Sequence, residues 1–365
     1  MSIRVYFNQW FSSIAPVIDD LRNRFNGELY VVGSSTNANH AYKESCDKFY
    51  VEEDLSNIED KEERDKRYIE LVLTICTTEN IDVFFVRKNA ELIAKNIKLF
   101  ENFGIKVITE SASTIETLNS KCDTYESLTN DFERLIPNYI NTKGLSDVVK
   151  RNTAYSVIKS SGRDDEPLWC LKFDTDEGGG SYRLIENDSD INFNSLKYMR
   201  FNRMAKSEAK VLIDNCTNDE IAQLIFMEHL VGPEISVDCY NSAKGFIAIC
   251  REKIPGTRYE RIYRDKELYD ICKRIASTLK LKSIFNVQFM YDSKNTEKSK
   301  SSRLRLLEIN ARMSGGTYYQ NLIGLNLAYV CLKDVINDSD YNIDDYLNFE
   351  EKTVTHIEKA MVVNQ

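Results

Sequence analysis

Two short runs rich in β-formers, FNVQFMYD at 285–292 and LRLLEIN at 304–310, carry the densest polar chemistry in the chain. Side chains alternate across a strand, so Asn286 and Gln288 share one face of the first run and Glu308 and Asn310 share one face of the second. Leu304 and Leu306 lead onto the face of Glu308, which leaves its carboxylate at the end of an apolar row, where burial without a positive partner is costly. A hard cation with oxygen ligands meets that need. Magnesium held by a carboxylate, amide oxygens and nucleotide phosphates is the usual form in phosphoryl transfer. A hydrogen-bonded sheet edge explains the same residues taken alone. The continuation, ARMSGG at 311–316, adds the planar fork of Arg312 for carboxylate or phosphate, and glycines that let backbone amides approach an anion. Metal ligands, a cation and an anion-binding turn at one strand end favour a site over a structural hairpin.

Upstream, WCLKFDTDEGGGSYRLI at 169–185 sets Lys172 in an apolar strand before Gly178, Gly179, Gly180 and Ser181. Such a glycine run can fold over phosphates with the lysine as a point charge; the plainer reading is a hairpin tip and a snorkelling lysine. The spacing is not that of a P-loop, because no lysine and hydroxyl follow the last glycine. In LIFMEHLVGPEISVDCY at 224–240, strand, turn and strand place Glu228 and Glu234 on either side of Gly232-Pro233. As solvated acids they need no ligand; as acceptors they suit an adenine amino group at Glu228 and ribose hydroxyls at Glu234. The basic run REKIPGTRYERIYRDK at 251–266 offers Arg251, Arg258 and Arg261 to a substrate anion, the alternative being a solvated loop. His40 and His356 have no carboxylate or cysteine at ligand spacing, so no catalytic histidine is expected.

The elements that must position these groups change character along the chain. Residues 3–7, 29–32, 81–86 and 105–108 are β-rich and alternate with helical stretches, one of them 91–103, which implies a parallel sheet. The charged stretch 55–67 reads as the solvated face of a helix. Beyond Glu110, helices are expected over 113–128 and 145–160, followed mostly by hairpins up to Asn310. Boundaries near Ser111 and Phe226 divide the chain into 1–110, 111–225 and 226–365.

A chain of 365 residues, 42% apolar, can bury a core in each of several lobes. Its net charge of -9 repels a phosphate backbone, which makes nucleic acid a poor partner. Nine cysteines without a CxxC pair fit neither a disulfide framework nor a zinc cluster and read as reduced, buried thiols. No apolar run is long enough to span a bilayer and no leader-like stretch opens the sequence, so a cytoplasmic protein is expected.

Taken in order, LKFDTDEGGGS, MEHLVGPEISVD, FNVQFMYD and LLEINARMSGG resemble the motifs of the ATP-grasp superfamily, especially its carbamoyl-phosphate-synthetase-like branch, over about residues 111–335. The resemblance implies an α/β fold in which an N-terminal parallel-sheet domain precedes a two-lobe ATP-grasp unit with antiparallel sheets. It implies ATP and Mg2+ as cofactors. Lys121 and Lys172 match the two lysines of the ATP-binding half, and Gly178, Gly179, Gly180 and Ser181 match the loop that closes over the phosphates. Glu228, with the backbone of His229 and Leu230, matches the adenine-binding segment, and Glu234 the ribose-binding acid. Gln288, Glu308 and Asn310 match magnesium ligands, and Arg312 matches the arginine that stabilises the transferred phosphoryl group and the acyl-phosphate. Lys172 and Arg312 are thereby the residues expected to act in catalysis.

Two positions depart from the pattern. Ser120 stands where an aspartate usually precedes the lysine, and Gln288 where an acid is frequent. The activity implied is ATP-dependent ligation, in which a carboxylate activated as an acyl-phosphate is attacked by an amine, with Arg251, Arg258 and Arg312 on the acid. The alternative is a regulatory subunit that keeps the ATP cleft without turnover. The expected partners are small-molecule carboxylate and amine substrates; nucleic acid and membrane are not expected, and a homodimer is an allowed assembly.

Overall fold

Strand and helix alternate at the N-terminus as the pattern requires. In the computed structural model, which describes residues 2–163, 166–176, 178–192, 202–292, 300–336 and 342–357, five strands form a parallel sheet. These are β1 (Ile3–Asn8), β2 (Leu29–Ser35), β3 (Lys48–Val51), β4 (Val83–Phe85) and β5 (Lys106–Ile108), in the order β3-β2-β1-β4-β5. Both faces are covered: Val5, Phe7, Val31 and Phe85 enter one core, Tyr6, Val32 and Phe84 another. That two-sided burial is why these strands read as unbroken apolar runs. The helices between them are α1 (Ala15–Arg24), α2 (Lys61–Thr78), α3 (Ala90–Lys95) and α4 (Ile97–Glu101). The single helix expected over 91–103 is interrupted at Asn96, whose Nδ2 donates to the Leu92 carbonyl at 2.9 Å, a local bond that competes with the helical ladder.

The next helical stretch is also divided, into α5 (Ala112–Asn119) and α6 (Lys121–Phe132). Ser120 between them is extended, and its Oγ accepts from Asp123 N at 3.0 Å, so it caps a new helix instead of continuing the old one. A second sheet follows, ordered β6-β10-β7-β8-β9, from β6 (Tyr139–Asn141), β7 (Trp169–Phe173), β8 (Arg183–Glu186), β9 (Arg203–Ala205) and β10 (Leu224–Glu228). Its pairings are antiparallel except β8 with β9, which is parallel. Helices α7 (Asp147–Ser160), α8 (Lys206–Asn215) and α9 (Asn218–Ile221) cover it, with Ala154, Val157, Leu171, Ile213 and Phe226 in the core.

A third sheet, ordered β15-β14-β11-β12-β13-β16, is made by β11 (Leu230–Ser242), β12 (Gly245–Lys253), β13 (Tyr259–Tyr263), β14 (Ile284–Asp292), β15 (Leu304–Asn310) and β16 (Lys352–Thr355). Helices α10 (Lys266–Leu279), α11 (Lys300–Arg303) and α12 (Leu327–Val335) belong to the same stretch of chain. The turn expected at Gly232-Pro233 is absent: β11 runs through it. Gly232 holds a φ of +83° and a Cβ there would sit 2.9 Å from the Tyr291 ring, so glycine serves close packing within a strand. The polar link expected between β14 and β15 lies, for 293–299, outside the described residues.

The chain divides into two compact units. One holds the described residues up to Glu116, Ile235–Val287 and those from Ile309 on; the other holds Thr117–Glu234 and Gln288–Glu308. The N-terminal sheet shares a unit with β12 and β13 because Val5, Phe7, Ile249, Ile262 and Leu332 enter one core, a long-range association that successive segments of sequence do not display. All nine cysteines are free, and only Cys46 and Cys216 are less than fully buried. Among the described residues no helix is long and apolar enough to cross a membrane.

Candidate functional site

In the unit built on the second sheet, Lys172 sits in β7 at 5% exposure. Burial lowers its pKa; Cys170 acts against that shift and the neighbouring Lys121 adds to it. Among the described residues Lys172 makes neither a hydrogen bond nor an ion pair, and the Glu308 and Asp174 charges offset only part of the cost of its burial. Lys121, the first residue of α6, donates from Nζ to the carbonyls of Asp174 at 3.2 Å and Asp176 at 2.6 Å. The Asp174 carboxylate accepts from Ser120 Oγ at 2.6 Å and from Cys122 N at 2.8 Å. An acid is therefore beside Ser120-Lys121 after all, supplied by β7's C-terminal end instead of the preceding residue.

That strand end leads into the glycine run. Asp176 Oδ2 accepts from Ser181 N at 2.7 Å and Ser181 Oγ at 2.6 Å, while Ser181 Oγ accepts from Phe173 N at 2.9 Å, closing the loop at its base. Gly178 and Gly179 both hold φ of +70° with open space where a Cβ would be, so conformation, not crowding, calls for glycine there. Glu177 lies outside the described residues.

Glu228, expected at the adenine, closes β10. Its carboxylate, 3% exposed, accepts from Asn138 N at 3.0 Å and Asn138 Nδ2 at 2.8 Å and faces Arg305 Nε at 3.7 Å. These bonds anchor the entry to β6. The N–H of His229 donates to Leu168 O at 2.7 Å, and its Nδ1 contacts Tyr182 Oη at 2.7 Å. Leu230 is buried and Glu234 half-buried, both in β11.

Glu308 and Asn310 are half-buried and two residues apart on β15, and Gln288 is half-buried on the neighbouring β14. Tyr125 of α6 donates to the Leu307 carbonyl at 2.7 Å; burial first, and the Glu308 charge second, raise its pKa. One carboxylate and two amides make a weak donor set by themselves. Among the described residues no group of three or more His, Cys, Asp or Glu could hold a metal. Carboxylate and amide oxygens of this kind suit magnesium that arrives with nucleotide phosphates and not a cation caged by protein alone.

In the other unit Arg251 is 4% exposed, with Nε donating to Asp238 Oδ2 at 2.7 Å, Nη1 to Glu260 Oε2 at 2.6 Å, and Nη2 to Ser236 Oγ at 3.1 Å and Ser314 Oγ at 2.7 Å. Burial opposes its charge, and the carboxylates of Asp238 and Glu260 more than compensate, so its pKa is raised. The guanidinium is bonded on every nitrogen inside the sheet. It props the Ser314–Gly316 turn: a Cβ on Gly316 would run into it. Asp238 also accepts from Asn286 Nδ2, Ser314 Oγ and Gln320 Nε2, each at 2.8 Å. Sequence reading passed over Asp238, although its parity with Ser236 and Tyr240 in ISVDCY is the signal of an inward acid. Arg258 is exposed between β12 and β13. Arg261 pairs with Glu252 at 2.6 Å and Glu351 at 3.4 Å. Arg312 donates from Nη1 to Met313 O at 3.2 Å and lies over Phe11, 5.1 Å from the ring centroid.

Residues 220–360 match the family model described as ATP-grasp in the biosynthetic pathway with Ter operon. No curated relative matches the chain. Among solved structures, N5-carboxyaminoimidazole synthetase from Staphylococcus aureus complexed with ADP gives a TM-score of 0.63 at 14% identity, covering 94% of this chain and 80% of that one. The biotin carboxylase domain of 2-oxoglutarate carboxylase from Hydrogenobacter thermophilus, solved with MgADP, ADP and bicarbonate, gives 0.60 at 16% identity, over 94% and 72%. L-amino acid ligase from Bacillus licheniformis gives 0.57 at 11% identity, over 92% and 74%. At these identities the likeness is one of fold.

Proposed function

We propose that the chain is an ATP-dependent ligase of the ATP-grasp type, which activates a carboxylate as an acyl-phosphate for attack by an amine; the matched segment 220–360 and the similar folds support this reading. The observation that carries this reading is Lys172, a buried cation awaiting an anion beside Lys121 and a closed glycine loop. Lys121, Lys172 and the amides of 178–181 bind the triphosphate; Glu234 takes the ribose. Gln288, Glu308 and Asn310 hold magnesium, which supplies charge neutralisation across the phosphates. Arg312 holds the acid and the transferred group, with Arg258 as an outer cation.

A carboxylate oxygen attacks the γ-phosphorus and ADP leaves with the electrons of the broken bond. The amine then attacks the acyl carbon; phosphate leaves and the amine gives up a proton. No protein nucleophile is needed, and stabilisation of developing charge by fixed cations is the main contribution of the chain. The names of the similar structures, a carboxyaminoimidazole synthetase, a biotin carboxylase domain and an amino acid ligase, support this class of chemistry.

ADP release should be measured with magnesium and ATP across amino acids and small carboxylates, offered singly and in pairs. Release that requires an acid with an amine is expected. A folded protein that binds MgATP and turns over with no acid in the panel would favour the regulatory-subunit alternative.

A further inference from the structure

We propose that Tyr125 is a positioning residue for the metal: its hydroxyl fixes the peptide that carries Glu308, which sets the carboxylate where magnesium arrives on phosphates bound by Lys121 and Lys172. The inference deepens the ligase reading and rests on it for placing magnesium at Glu308. All the residues involved belong to one unit.

Lys121, Tyr125, Leu128 and Phe132 recur at the spacing of helical turns and form a buried stripe along α6. The start of the helix is fastened to the end of β7, where the Asp174 carboxylate accepts from Ser120 Oγ at 2.6 Å and Cys122 N at 2.8 Å. One turn further along stands Tyr125, fully buried. Its ring meets that of Tyr139 in β6 edge-on, 5.1 Å between centroids, and its Oη lies 3.5 Å from Met227 Sδ in β10. Packing against two strands of the second sheet leaves the ring a single orientation. The hydroxyl is therefore held at one place.

From that place Oη donates to the Leu307 carbonyl at 2.7 Å. β15 is the end strand of its sheet, and an end strand has peptide groups with no neighbouring strand to bond. The Leu307 carbonyl and the Glu308 Cα belong to one planar peptide unit, so holding the oxygen holds the point from which the Glu308 side chain departs. A second tie joins the same strand to the segment after α6, Arg305 Nη1 donating to the Arg134 carbonyl at 3.0 Å. Of the two, only that of Tyr125 adjoins Glu308. Burial first, and the Glu308 charge second, raise the Tyr125 pKa, so the phenol keeps its proton and serves as a donor. The charges of Lys121 and Glu308 both reach Lys172. One helix face thus joins a lysine of the phosphate site to the peptide of the metal acid.

Tyr125→Phe keeps the ring on Tyr139 and removes only the hydroxyl. Calorimetry measures the affinity for MgATP and for ATP with the metal chelated, in wild type, Tyr125→Phe, Glu308→Gln and the double variant, each shown to be folded by its denaturant midpoint. The readout is the ratio of the two affinities, which needs no turnover. Tyr125→Phe should lower that ratio at least about threefold, within the range one net hydrogen bond can transmit, and leave the affinity for metal-free ATP unchanged. Glu308→Gln should lower it at least as far, and in that background Tyr125→Phe should add nothing, because the peptide then positions no carboxylate. An unchanged ratio in Tyr125→Phe, equal losses for ATP with and without metal, or losses that add in the double variant would each overturn the proposal; equal losses are what a merely structural hydrogen bond gives. A wild type whose ATP affinity is indifferent to magnesium would overturn it as well. A wild type that binds MgATP more tightly than ATP and releases no ADP with any acid would count against the ligase reading alone, since the cycle is read from binding.

Discussion

Lys172, buried and with no hydrogen bond or ion pair among the described residues, is the most informative single residue of this chain. Its lowered pKa makes a statement about stability: the unfolded chain holds that proton more tightly, so between the lowered folded value and the ordinary 10.5, stability rises with pH. Lys172→Met should remove that slope, leave the fold at least as stable below pH 10, and weaken MgATP binding by at least about tenfold. Denaturant curves at several pH values and calorimetry measure both; unchanged nucleotide affinity would make Lys172 a structural lysine. Glu308→Gln should abolish ADP release in a protein of wild-type stability, because the amide keeps the shape and loses the charge that pairs with magnesium. Normal magnesium-dependent turnover in that variant would remove Glu308 from the metal site. The strand positions of Lys172 and Glu308 were legible because each stands out within an apolar run. The commitment of Arg251 was not, because Asp238 and Glu260 approach it across strand pairings whose register the sequence does not state.

At the scale of elements, strands were easier to read than helix ends. Sheet burial leaves a continuous apolar run, whereas Asn96 and Ser120 break helices through single hydrogen bonds that hydrophobic periodicity does not register. Gly232-Pro233 has the composition of a turn, yet the Tyr291 ring packed on Gly232 keeps it within β11. The Asp238–Arg251–Glu260 cluster joins β11, β12 and β13, and it supports the turn after Arg312 through Ser314. Arg251→Met leaves two carboxylates without their cation and should cost about 3 to 5 kcal/mol in denaturant unfolding. A loss below about 1 kcal/mol would mean that the cluster relaxes by taking in water or protons.

Across the whole molecule, the family motifs are spaced along much of the chain while the cores interleave distant segments. Order of motifs was therefore readable and the partition into two units was not. The acidic balance, net -9, leaves cations such as Lys172 and Arg312 as local exceptions, which suits small anions better than polyanions. Carboxylate activation by ATP is the central claim, and the fate of the acid's oxygens tests it most directly. Once the screen has found an acid, its carboxylate is labelled with oxygen-18 and the inorganic phosphate released during turnover is analysed by mass spectrometry. Passage through an acyl-phosphate leaves one labelled oxygen in each phosphate. Product formed with no label in phosphate would contradict acyl-phosphate activation.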